Sequence, residues 1–170
     1  ELGQHVRHVV LHRLLGEEHP LADLPVRQAV GNEIQDPPLL LSQSCEALVF
    51  LGPSLFWGPT PLSEALPRAE AILASAADDR WLEAWSIRSV SGFYSMQGRF
   101  DEARELLARA RSNLEELGRP LDDATLAFWS APLEQLAGNL PAAEQDLVRA
   151  CDTLEARGEA GWLSTMAGLL

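Results

Sequence analysis

The chain contains no lysine. Its 170 residues carry 13 basic side chains, all of them arginine, against 25 acidic ones, for a net charge of −12. Without lysine there is no phosphate-gripping residue for a nucleotide-binding loop, and no Gly-x4-Gly-Lys-Ser/Thr pattern occurs. The acidic balance argues against nucleic acid or an anionic membrane as a partner. Cysteine is equally scarce. Cys45 and Cys151 stand alone, too few for a disulfide framework or a cysteine-based metal site. They are expected to be free, mostly buried thiols in a reducing cytoplasm. No stretch approaches a transmembrane span, and the N-terminus lacks the short apolar core of a signal peptide. The alternation of apolar and polar residues that marks strands is missing too. So are a histidine-glutamate metalloprotease motif and a Gly-x-Ser-x-Gly elbow.

What remains of possible chemistry is thin. His5, His8 and His12 share one helical stripe, but no carboxylate or cysteine accompanies them at ligand spacing, so no metal is expected. The paired carboxylates Asp78-Asp79 and Asp122-Asp123 fall at helix starts, where acids complement the helix dipole. The sequence therefore points to no catalytic residue and no cofactor.

What is present is a stretch stated twice. Gly98-Arg-Phe-Asp-Glu-Ala-Arg-Glu-Leu-Leu-Ala-Arg-Ala110 is followed forty residues later by Gly138-Asn-Leu-Pro-Ala-Ala-Glu-Gln-Asp-Leu-Val-Arg-Ala150. Gly98 matches Gly138, Phe100 matches Leu140, Ala103 matches Ala143, Leu107 matches Leu147 and Ala110 matches Ala150. The register continues through Leu114 and Leu154 to Gly118 and Gly158. Apolar residues from Phe100 to Leu117 recur every three or four positions, as on one face of a helix, with Glu105 and Arg109 forming an i,i+4 pair on the other. Gly118 then ends the helix in a left-handed turn, and Gly98 closes the helix before it. The small Ala103 and Ala110 let a second helix approach closely. One unit is thus helix, glycine turn, helix, and a fixed period in this range is the mark of a solenoid.

The spacing glycine, aromatic or large apolar, alanine, large apolar, alanine resembles the tetratricopeptide repeat, although the period is 40 and the closing proline is absent. The resemblance implies an all-α fold: an α-solenoid of antiparallel helix hairpins, a TPR-like superhelix with six to eight helices in one domain over 1–170. Residues 1–47 are less regular and 48–170 hold the repeats.

In chain order, a helix is predicted at 2–15 with His5, His8 and His12 beside its apolar face, then a connector over 16–36. A helix over about 37–51 stops at Gly52-Pro53, and 52–60 form a loop whose Phe56 and Trp57 plug a gap between hairpins or, on the sharper reading, form a ligand lid. Thr60-Pro61 caps a helix running to about Ala77 and bent at Pro67, with Ala69, Leu73 and Ala76 echoing Ala103, Leu107 and Ala110. Helix 79–97 is apolar nearly all round and should be buried between neighbours. Helix 121–137, with Leu126, Phe128, Trp129, Leu133 and Leu136, is kinked at Pro132. A helix at 141–157 and an inner helix from 159, with Trp162, complete the chain. The chain opens on Glu1 and stops within an apolar helical pattern, which reads as a fragment of a longer polypeptide.

Three blocks also resemble a larger family over roughly 48–170: Phe50 to Pro61, Gly98 to Gly118, and Leu136 to Glu144 continuing to Gly161-Trp-Leu-Ser-Thr-Met-Ala167. They are similar to the C-terminal repeat region of bacterial signalling proteins that carry a class III adenylate or guanylate cyclase domain and an AAA-type ATPase domain. Related regions occur in ATPase-type transcriptional regulators. The resemblance implies a non-catalytic interaction or sensor module in the cytoplasm, acting on a protein or peptide, another domain of the same polypeptide or a small effector. A free-standing scaffold and an enzyme accessory domain are the other readings. In the repeat family the first helix of each hairpin faces the ligand. Counting back from the matched glycines puts Trp85, Arg88, Ser95 and Met96 there, then Thr125, Phe128, Trp129 and Gln135. Their alternative role is core packing. Arg88, on the flank of the Trp81–Trp85 stripe, is the residue expected to take an acidic or aromatic partner.

Overall fold

A computed structural model describes residues 49–170. The expected helix at 2–15, its histidines, the connector, most of the helix at 37–51 and Cys45 lie outside the described residues. Residues Gly52–Leu170 form one compact unit.

Among the described residues the fold is all-α, with no strand. Residues 52–57 are helical and are followed by seven helices: α1 (Leu62–Ser75), α2 (Arg80–Met96), α3 (Phe100–Glu116), α4 (Pro120–Thr125), α5 (Ala127–Leu136), α6 (Leu140–Ala156) and α7 (Ala160–Ala167). The connections are set by glycine. Gly98, Gly118, Gly138 and Gly158, twenty residues apart, have φ of 75°, 64°, 78° and 69°. Each closes a helix in the same way. The glycine N–H donates three residues back, and the next N–H donates five residues back: Arg99 to Tyr94 C=O (2.9 Å), Arg119 to Leu114 (2.9 Å), Asn139 to Glu134 (2.8 Å) and Glu159 to Leu154 (2.9 Å). This is the Schellman arrangement, which satisfies the last carbonyls of a helix and requires a left-handed residue.

The turns fold successive helices back on one another. Arg80 and Glu83 at the start of α2 pair with Glu116 and Arg109 towards the end of α3, so these two helices run antiparallel. Arg109 thus reaches across to Glu83 instead of pairing with Glu105 on its own helix. Asn113, also on α3, donates to Glu83 Oε2 at 2.6 Å. The α3 stripe Ala103, Leu107, Ala110 and Leu114 packs with Ala84, Ile87, Leu126, Trp129 and Leu133 in one core. The corresponding α6 stripe, Ala143, Leu147, Ala150 and Leu154, packs with Ala124, Ala127, Ala131 and Met166 in the next. Both leucines matched forty residues apart are buried. Burial of each such side chain stabilises by roughly 1.5–3 kcal/mol. In α1, Ala69 and Ala76 are buried as expected, but Ile72 takes the fully buried place and Leu73 sits at the core's margin.

Several local expectations are corrected. Gly52-Pro53 does not stop a helix, and 52–57 is helix, not loop. A proline removes one backbone bond but keeps a helical φ, and in this segment Phe56 packs against Phe93 and Trp129. Thr60 does not cap α1, which starts after Pro61 with no side-chain cap. The inner helix is interrupted at Leu126, six residues before Pro132, which lies within α5. There Leu126 N–H donates to Asp123 C=O, a tighter i−3 bond, while Thr125 Oγ1 donates back to Asp122 C=O at 2.7 Å. That back-bonding competes with the helical ladder. Leu117, Leu136 and Leu140, counted in the apolar pattern, are exposed at the turns.

Candidate interaction surface

Alternate helices lie side by side and run parallel. A Cβ on Gly52 would meet Ser89 Oγ at 2.7 Å, and one on Gly92 would meet Phe56 at 2.6 Å and Trp129 at 2.9 Å. The helical residues 52–57 therefore track along α2, and α2 tracks along α4 and α5, where Trp81 meets Asp122 and Arg88 meets Thr125. Gly92 is what permits the convergence: it is helical but has no side chain, so Phe56 and Trp129 meet over it with ring centroids 4.9 Å apart. Phe56 does fill a gap between helices, though from a helix and not from a loop, whereas Trp57 stands exposed beside it.

From this point an array of rings spreads across the helices. Trp57 contacts Phe128 (6.1 Å) and Trp129 (6.3 Å), and Phe128 contacts Trp162 on α7 (6.0 Å). Trp57 is 65% exposed, while Phe128 and Trp162 are half-buried. These three rings form a wet aromatic edge over the buried Phe93 and Trp129, with the half-buried Phe56 between them. Neither Trp57 nor Trp162 belongs to the set derived by counting back from the glycines. The Phe-Trp pair in a segment bounded by glycines was the available signal for Trp57.

Of the eight expected surface residues, Arg88, Ser95, Thr125 and Trp129 are buried, Trp85 and Phe128 half-buried, and Met96 and Gln135 exposed. Trp85, Arg88 and Thr125 are brought together. Ser95 and Met96 lie at the far end of α2, where Ser95 Oγ donates to Ser91 C=O.

Arg88 is not the exposed residue that was expected. It is only 5% exposed, with the Trp85 ring centroid 3.2 Å from its guanidinium carbon. Its Nη1 makes one long bond to Thr125 Oγ1 at 3.4 Å, and its Nε has no partner. Burial lowers its pKa to about 9, against the opposing pull of Asp122. Asp122 itself is engaged by Trp81 Nε1–H (3.1 Å) and Arg119 (3.0 Å).

Other acids expected to serve as helix starts divide by role. Asp79 caps α2, accepting from the N–H groups of Trp81 and Leu82 at 3.0 Å. Asp122 and Asp123 lie in the first turn of α4 but make no cap bond and instead link helices. Asp123 faces Arg149 (3.6 Å) and Arg111 (4.0 Å). Arg111 also grips Asp146 at 2.5 Å, and Asp146 accepts a short bond from Ser130 and a 3.1 Å bond from Arg149. Burial is the largest influence on both carboxyls and pushes both upward. For Asp123 it prevails and the pKa is raised. For Asp146 the Ser130 bond and the Arg111 and Arg149 charges outweigh it and the pKa is lowered. Among the described residues no histidine or cysteine joins this cluster, and no three metal-ligating side chains converge. Cys151 is a half-buried free thiol with its pKa raised by burial. No helix among the described residues is long and apolar enough to cross a membrane. Comparison with known families, with curated proteins and with solved structures finds nothing that matches the chain.

Proposed function

We propose that this chain is a non-catalytic, TPR-like interaction module. It would be a cytoplasmic α-solenoid whose inner helices present the aromatic edge to a peptide, or to another domain of a bacterial signalling protein of the cyclase and ATPase type. The observation that carries the reading is the recurrence of one Schellman turn at Gly98, Gly118, Gly138 and Gly158, with equivalent Ala/Leu stripes between them. Regular turns stack helices in parallel ranks, and such a rank leaves a continuous surface for a ligand. The Trp57, Phe128 and Trp162 edge gives that surface large, rigid contact groups of the kind that dominate binding energies.

The test is a peptide-display selection against the intact chain, followed by calorimetry on the selected peptides. Trp57→Ser and Phe128→Ser should each weaken binding by at least ~10-fold, the size of a hot-spot truncation. A Glu144→Gln control on the exposed side of α6 should change nothing. Failure to select any peptide, or equal loss with the control, would remove the reading.

A further inference from the structure

Arg88 is the one arginine among the described residues that is buried and has no carboxylate within ion-pair distance. Burying a guanidinium is costly unless its donors are satisfied. Here the Trp85 face and Thr125 Oγ1 cover part of that need, and the Nε edge is left without a partner. The same fold shows what this edge takes elsewhere. Arg104 presents Nε and Nη2 to Glu134 at 2.7 and 2.9 Å, and Arg99 presents the same two atoms to Glu102 at 2.8 and 2.6 Å. Both are planar, two-pronged carboxylate grips. Arg88 has the same fork, held in place by a stacked ring on its face and a hydroxyl at Nη1, and its buried Nε has no partner.

We infer that Arg88, with Trp85 and Thr125, is a binding site for a carboxylate carried by the ligand of the proposed module, either a peptide end or a small organic acid. The inference rests on the interaction reading and names the chemistry of its partner. A planar monoanion suits a single guanidinium. A phosphate dianion would need more positive charge than one guanidinium offers, the more so because the Asp122 carboxylate already acts on Arg88. Trp85, itself half-buried, covers the guanidinium face and leaves the in-plane Nε edge to the ligand.

The experiment uses the full chain with 15N-labelled arginine and follows the Arg88 Nε–H resonance, assigned by its loss in Arg88→Lys. The probes are sodium acetate, the tripeptide N-acetyl-Gly-Ala-Leu with a free carboxyl end, its C-terminal amide, and inorganic phosphate. Acetate and the free-acid peptide should both move the resonance, and the amide should not. Tighter binding of the peptide than of acetate assigns the carboxylate to a peptide end; equal binding assigns it to a small acid. Arg88→Lys, which keeps the charge but loses the fork, should weaken binding by at least ~10-fold. No movement with either carboxylate, an equal response to phosphate or to the amide, or full binding by Arg88→Lys would overturn the inference. Nuclear Overhauser contacts from the Arg88 Nε–H to the stacked Trp85 ring assign the resonance on the unmutated chain as well, so a variant that fails to fold does not remove the test. Selected peptides that bind the aromatic edge while the Arg88 signal stays fixed would end this inference and leave the module reading standing. Acetate binding with no peptide binding would do the reverse.

Discussion

Replacing Gly98 by alanine tests whether the turns are held by backbone conformation alone. At Gly98 an added Cβ meets nothing within 4 Å, so steric contact contributes nothing. The cost lies in φ of 75°. A left-handed L-residue costs about 1–2 kcal/mol. Alanine's smaller freedom in the unfolded chain offsets about 0.4–1 kcal/mol of that. Gly98→Ala should therefore destabilise by about 1 kcal/mol, a fall in melting temperature of roughly 2–4 °C for a chain of this size. Gly98→Asn should cost less than alanine, since asparagine tolerates the left-handed region. D-alanine introduced at 98 by semisynthesis should stabilise, because it favours positive φ and still restricts the unfolded chain. Urea unfolding followed by circular dichroism ranks the variants. An order with alanine above asparagine, or a destabilising D-alanine, would refute the conformational account. Gly92→Ala separates the other use of glycine. Its φ is ordinary, and a Cβ there would sit 2.6 Å from Phe56 and 2.9 Å from Trp129. Overpacking of about 1–3 kcal/mol should then exceed the helix-propensity gain of about 1 kcal/mol.

Further predictions concern the core and the acids. Leu107→Ala and Leu147→Ala, at matched and buried positions, should each cost about 2–5 kcal/mol in urea unfolding. A cost below that range at both would mean the stripes do not carry the packing. Asp146→Asn should cost about 1–3 kcal/mol at pH 7, because it loses charge-assisted bonds to Arg111 and Arg149. Asp146 has a depressed folded pKa, so its contribution is present above the unfolded pKa and lost as pH falls through the folded one. The gap between variant and wild type should accordingly close in acid. Asp123 has a raised pKa, so ionising it works against folding at neutral pH. Asp123→Asn should be no less stable than wild type at pH 7, and a large loss there would contradict this assignment.

How much of this was legible in the sequence depends on how local each cause is. The glycine turns could be read because a left-handed residue is a requirement of one position, and Gly98 and its three counterparts meet it. The alanine and leucine stripes could be read because close helix approach demands small residues at fixed spacing. The helical run through Gly52-Pro53 could not, since its Phe56 packs at Gly92, a contact made 36 residues away. The interruption at Leu126 was likewise hidden behind the more obvious Pro132. Arg88 was half legible. A helix apolar nearly all round leaves no outer face, so an arginine within it must be buried; the count back from Gly98 placed it on a surface instead.

Two of the chain's five tryptophans give optical signals of different origin. Trp129 sits in the dry core and reports on whether the helices are packed, while Trp57 stands largely in water and reports on whether anything covers that face. Trp57→Phe removes one signal and Trp129→Phe the other, so the two can be separated by difference. Folding and occupancy can thus be followed in one cuvette, with no label added and no ligand known in advance.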